Sequence, residues 1–399
     1  MRAKWLLVLS APLLAAVLAV VLMGSSSGKE KAVDYEALAE KLVNQCAGIH
    51  EGDYVLVYGG VRDFELLEDI AVNVRKVGAY PLLMASSERM RHRMYADVPA
   101  KYDSTAGKFD EKIYKVIDAA ITVSSDEDPS VFADIPPERF ATVNGVYGRL
   151  NQILLNKKYR EISLGNDLNP TKYRAKDFGI TVEQLSEVFW KGVGVDYSRL
   201  HETGVKVKTA LLDGDVLHIT NANGTDLTMR IKGRRVFVSD GIVSNDNEAA
   251  GTLSCIKFLP AGEVYFTPVP GTVEGKVVVD RRSFLGKEIR KFTMTFVRGK
   301  LESMSAESGL EELKKNYDAQ PEGKETFGVV DIGINPDVRP VKGSRMVACM
   351  ASGMISVNVG GNDWAGGDNS TPYAITSYIP GATMTLDGNV LVDKGTLQF

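Results

Sequence analysis

The sequence predicts an α/β fold: an N-terminal α/β domain with a parallel sheet, followed by a C-terminal, strand-rich α+β domain. Two observations predict it. Up to Val123, helical and β-branched runs alternate, and from Leu211 onward short alternating runs recur between turn residues. The length agrees, because 399 residues suffice for two domains that each bury a core. The expected organisation is a leader over residues 1–28, an N-terminal α/β domain with connecting helices over 29–190, and a second domain over 191–399.

The leader reads as a signal peptide or a membrane anchor. Arg2 and Lys4 precede an apolar run from Trp5 to Met23 in which nothing polar follows Ser10, and Gly24-Ser25-Ser26-Ser27 forms a small-residue exit. No Ala-x-Ala cleavage site is present, and Ser25 stands where a lipoprotein would carry its acylated cysteine. The body is therefore expected outside the cytoplasm, in the periplasm or another extracytoplasmic space, or held at the membrane by an uncleaved leader.

Beyond the leader, residues 35–43 place Leu38, Leu42 and Val43 on one helical face. Glu51-Gly52-Asp53 then turns into a strand at 54–58, and a helix over 64–77 closes at Gly78, a residue free to take the left-handed cap. Strands follow at 79–84 and 119–123, with an amphipathic stretch at 109–117 between them. Alternation of this kind implies parallel pairing. The polar, basic stretch 125–180 reads as helical connection with loops, a helix over 182–190 bridges to the second half, and Arg199-Leu200-His201 reads as polar linker. Asn223-Gly224, Arg298-Gly299-Lys300 and Asp387-Gly388-Asn389 punctuate the strand-rich half as hairpin turns.

Composition excludes several functions. Hydrophobic residues at 44% and charged residues at 25% exclude disorder, and 47 Lys+Arg against 51 Asp+Glu give no electrostatic basis for binding nucleic acid. Gly59-Gly60 follows the first strand, but no GxGxxG or GxxxxGK[ST] accompanies it, and no GxSxG elbow occurs. Cys46, Cys255 and Cys349 form no metal-spaced pair, and the last two lie in apolar runs and read as core. Histidine chemistry must come from His50, His92, His201 and His218, because none follows His218. Arg89-Met90-Arg91-His92-Arg93-Met94 is a compact basic cluster, read as a solvated helix face.

Four blocks stand out: Glu51-Gly52-Asp53-Tyr54-Val55-Leu56, Gly224-Thr225-Asp226-Leu227-Thr228, Gly366-Gly367-Asp368-Asn369-Ser370 and, most specifically, Leu259-Pro260-Ala261-Gly262-Glu263-Val264-Tyr265-Phe266-Thr267-Pro268. With these blocks the chain resembles the thermophilic aminopeptidase T type of metallopeptidase. The resemblance implies an aminopeptidase T-like fold, a homodimer, and two divalent metal ions (zinc, cobalt or manganese) that hydrolyse the N-terminal peptide bond. It implies a ligand role for Glu263. The family's next glutamate follows a glycine, whereas Gly328 is followed here by Val329. Its His-Ile-Ala-Leu-Gly element corresponds to Met354-Ile355-Ser356-Val357-Asn358, no tyrosine occurs between Met354 and Asn369, and Tyr373-Ala374-Ile375 stands for its His-x-Asp pair. A related branch of the fold cleaves hydroxylated pyridine rings with iron, and it too needs histidines this chain lacks.

The expectation is thus a degenerate dinuclear site with no resident cofactor, and a non-catalytic binding or structural role in the cell envelope toward a peptide or small-molecule ligand. The alternative is an active aminopeptidase with a rearranged site. The number of metal-capable side chains converging on Glu263 discriminates between them. The loop around Asp363, Trp364 and Asp368 is a second binding candidate, since its aspartates, with Glu263 and Asp331, offer an all-oxygen site and a large aromatic in a loop wants cover or a ligand.

Overall fold

The computed structural model describes residues 33–124 and 128–399, so the expected leader lies outside the described residues. Among those residues, no helix is long and apolar enough to cross a membrane.

The first layer is a five-stranded sheet, parallel throughout. Four strands come from the N-terminal part: β1 (Tyr54–Gly60), β2 (Tyr80–Ser86), β3 (Ala119–Val123) and β4 (Arg160–Leu164). The fifth, β8 (Ile256–Leu259), arrives from the second half of the chain, giving the order β2-β1-β3-β4-β8. Val55, Val57 and Ile121 share one face and are fully buried, whereas Tyr54 and Tyr58 on the other face of β1 are exposed. The helix Phe64–Lys76 presses Leu66, Leu67, Ile70 and Val74 onto this sheet, and Gly78 follows it with φ +83°.

Two segments depart from the expectation. The stretch 125–180 contains β4, whose polar sequence hides its burial: Arg160 donates to Asp53 at 2.8 Å, so its charge is satisfied inside the fold. Arg199-Leu200-His201 is no linker but the first turn of a 17-residue helix, Tyr197–Asp213. Asp196 caps that helix by accepting from the Ser198 and Arg199 amides, and Leu200, Val207 and Leu211 are its buried stripe.

The rest is antiparallel. β5 (Val216–Thr220), β6 (Asp226–Arg230), β10 (Glu274–Phe284), β11 (Lys287–Val297), β12 (Lys300–Ser305), β16 (Thr383–Leu386), β17 (Asn389–Asp393) and β18 (Thr396–Leu397) form one sheet. β7 (Val236–Ser239), β9 (Glu263–Phe266), β13 (Phe327–Gly333), β14 (Ile355–Gly360) and β15 (Ala374–Tyr378) form another, in the order β15-β14-β13-β9-β7. One face of this second sheet carries Val264, Phe266, Val330, Ile332, Ile355 and Val357 into a core continuous with the N-terminal layer. The other face carries the site.

Candidate metal centre

Tyr265, Asp331, Ser356 and Tyr378 lie in one register row across β9, β13, β14 and β15, so their side chains leave on the same face. Glu263 lies two residues along β9 from Tyr265, on that same face and diagonal to Asp331. Cys349 comes from the loop before β14. Gly333 explains how that loop reaches the strand: a Cβ there would lie 2.1 Å from the Ala351 carbonyl oxygen and 2.3 Å from that of Cys349. One carboxylate oxygen each of Glu263 and Asp331 and the Cys349 sulfur all lie within 4.8 Å of one another.

A turn of the first layer closes the group from above. Asn166 and Asp167, just past the C-terminal end of β4, hold left-handed backbone with φ of 43° and 58°. The Asn166 amide donates to Glu263 Oε1 and to the Pro260 carbonyl, each at 3.2 Å, and its oxygen accepts from Cys349 Sγ at 3.7 Å. Asp167 accepts from the Tyr378 hydroxyl at 3.2 Å and from Arg174 at 3.3 Å.

Burial pushes the Glu263 carboxyl above its ordinary value, against hydrogen bonds from Cys349 and Asn166 that favour the anion. Burial and then the neighbouring Glu263 charge drive Asp331 well up, and burial followed by both carboxylates does the same to the Cys349 thiol. Asp331 Oδ1 is buried and has no hydrogen-bond partner among the described residues. Two crowded carboxyls, a thiol and an orphaned oxygen are what one divalent cation would satisfy. Oxygen and sulfur donors together suit a zinc-like ion, and three protein ligands fill one coordination shell up to a single open position. They do not fit the pair of ions that the resemblance implies, which needs a larger donor set.

The sequence located Glu263 and named Asp331, but two features of the centre escaped it. No carboxylate follows Gly328: Val329 packs with Tyr265 and Trp364, and Asp331, two residues on along β13, supplies the carboxylate on that face. The alternation of β13 carries that signal. Cys349 is buried as expected but is part of the centre, and nothing local in its apolar run distinguishes it.

The loop candidates sit elsewhere. Trp364 packs on Tyr265 at 5.2 Å and edge-on to Phe258 at 6.1 Å between ring centroids, so protein provides its cover. Asp363 accepts from the Gln152 side chain and from the Trp364 amide, and Asp368 is exposed. Neither aspartate is in the metal-capable group. The histidines are also engaged elsewhere: His50 with Arg160 at 2.7 Å, His92 with Asp134 at 3.0 Å, His201 with Asp240 at 2.7 Å and His218 with Asp226 at 2.8 Å.

The family model for the thermophilic metalloproteases (M29) matches residues 32–336, which carry the parallel layer together with Glu263 and Asp331 of the acidic centre. The chain belongs to that family, and membership suggests metal ions. The match ends before the segment that carries Cys349 and Tyr378. Among particular relatives, the chain is 28% identical over 127 residues to the aminopeptidase AmpS of Bacillus subtilis, spanning 32% of this chain and 29% of that protein. Its fold matches wild-type AmpT from Thermus thermophilus with a TM-score of 0.69 at 18% identity, over 92% of this chain and 99% of that one. It also matches 2,5-dihydroxypyridine dioxygenase from Pseudomonas putida, with a TM-score of 0.58 at 12% identity over 91% and 96%.

Proposed function

We propose that this chain is an exported M29-family protein whose centre is too small for a dinuclear hydrolytic site, and that it has a binding or structural role in the cell envelope. The observation supporting this is the make-up of the centre: Glu263, Asp331 and Cys349 are its donors, and no histidine is among them. One zinc-like ion, or a set of shared protons, satisfies those three groups. An apolar leader with a basic flank supports export or anchoring, the family resemblance supports a homodimer, and the ligand is a peptide or a small molecule.

The test is elemental analysis of the full chain after incubation with Zn²⁺, Mn²⁺ or Co²⁺ and desalting, together with an assay on aminoacyl substrates. The expected result is at most about one equivalent of metal and no hydrolysis. Retention of about two equivalents, with hydrolysis abolished by Glu263→Ala, overturns the reading.

The second reading is an active, metal-dependent aminopeptidase with a rearranged site. It is favoured by the convergence of three metal-capable side chains, which leaves a bound ion one open position, and by the Tyr378 hydroxyl beside Asp167. Hydrolysis at one equivalent of metal distinguishes it.

A further inference from the structure

The C-terminal ends of the parallel strands open into a cavity of about 1150 Å³ that shares no lining residue with the acidic centre. Its place is set by topology. From β1 the chain runs to β2 on one side and then to β3 on the other, so the crevice beyond β1 and β3 is a topological switch point, where ligands of open α/β sheets bind. Arg62 follows β1, Val123 ends β3 with Ser124 just past it, and Leu164 ends β4, and all four line the cavity. The opposite wall is the tip of the β10–β11 hairpin with the helices Lys172–Phe178 and Val182–Val193.

The lining is unbalanced in charge. Arg62, Lys172, Lys176, Arg281, Lys287 and Arg345 face Asp63, Asp128 and Asp177. Most of the cations are engaged: Arg281 with Glu288, Lys287 with Glu312 at 2.9 Å, Arg62 with Asp63 at 3.4 Å, and Arg345 with the Asp177 and Lys176 carbonyls. The ammonium groups of Lys172 and Lys176, both exposed, have no hydrogen-bond or ion-pair partner among the described residues. The two lysines stand four apart on one helix, so both leave the same helical face and an anion on that face can meet both. Tyr35, Tyr173, Phe189 and Trp190 supply an aromatic wall beside them.

We infer that this cavity is a binding site for an organic phosphate, with Lys172 and Lys176 on the phosphoryl group and the aromatic wall against the organic part. A phosphoryl group carries the two negative charges that a pair of lysines can neutralise as point charges. The cavity is far larger than a bare ion needs. The phosphate belongs either to a soluble metabolite-sized molecule or to a phospholipid headgroup.

The experiment has two arms on the full chain. In the first, inorganic phosphate and glycerol phosphate are titrated calorimetrically into wild type, Lys172→Gln/Lys176→Gln, and Lys172→Arg/Lys176→Arg. In the second, flotation with phosphatidylglycerol vesicles is compared with flotation on phosphatidylcholine vesicles, where leader insertion is common to both. Soluble-phosphate binding that weakens about tenfold or more in the Gln variant and survives in the Arg variant supports the site with a soluble ligand. No soluble binding, but a phosphatidylglycerol preference that only the Gln variant loses, supports it with a lipid headgroup. Equal behaviour of wild type and the Gln variant in both arms overturns it, and circular dichroism establishes that the variants are folded. Metal content reports on the acidic centre independently.

Discussion

Glu263 and Asp331, on neighbouring strands of one sheet, bring carboxylate oxygens within 4.8 Å of each other and of the Cys349 sulfur, and Asp331 keeps a buried oxygen with no partner among the described residues. Two acids placed this way without a cationic side chain are costly to ionise, so the arrangement either holds protons or takes up a metal ion.

A metal ion bound there is expected to take the Cys349 thiolate as one of its ligands. Cobalt-loaded protein is expected to show a thiolate-to-cobalt charge-transfer band in the near ultraviolet, and Cys349→Ser is expected to lose it while the fold persists. A cobalt spectrum unchanged by that substitution would show that the sulfur stays outside the coordination shell.

Gly333 is the position that lets the Cys349 loop lie against β13. An added methyl would meet the Ala351 and Cys349 carbonyl oxygens at 2.1 and 2.3 Å, with backbone on both sides and no flexible side chain to yield. Gly333→Ala is expected to cost about 2–3 kcal/mol in urea denaturation and to lower metal retention with it. Wild-type stability and metal content in that variant would contradict the account of how the loop is seated.

Trp364 packs tilted against Tyr265 and edge-on to Phe258. Trp364→Ala is expected to destabilise the protein by about 3 kcal/mol, since an aromatic cluster is opened and a cavity left. A variant of full stability that loses ligand binding instead would restore the loop as a binding platform.

Lys257 is buried, its ammonium donating to Asp240 and to the Val238 carbonyl, each at 2.9 Å. Lys257→Ala leaves the Asp240 carboxylate with His201 as its remaining side-chain hydrogen-bond partner among the described residues, at an expected cost of about 3–5 kcal/mol. Thermal and urea unfolding measure it, and a cost under about 1 kcal/mol would mean that water reaches the pair.

Burial pushes the Cys46 thiol from an ordinary value of 9.0 up to about 11. Between those two values the unfolded thiol gives up its proton while the folded one keeps it. The folded state therefore binds more protons, and stability falls as pH rises through that window, by up to about 1.4 kcal/mol per pH unit. Urea midpoints at pH 8 and 10 are expected to converge in Cys46→Ala relative to wild type. Equal slopes in the two proteins would mean that other buried groups carry the alkaline loss.

The sequence by itself determined what is local. The helix Phe64–Lys76 and its closing Gly78, the apolar strands β1 and β3 and the Asn223-Gly224 hairpin are each set by residues within a few positions of one another. Glu263 was singled out by the family resemblance of its GEV motif, and packing puts it in the metal-capable group. Tertiary structure decided everything that depended on pairing across distance. β4 is polar because Arg160 finds Asp53 in another segment, and β8 joins the first sheet although most of its neighbours in sequence belong to the second half. The centre follows the same rule, because Asp331 is positioned by the register of β13 against β9, and Cys349 by a glycine sixteen residues earlier. Pattern and propensity act through the chain's own neighbours, whereas a site is made by groups that only packing brings into reach, and no local signal records which ones will meet.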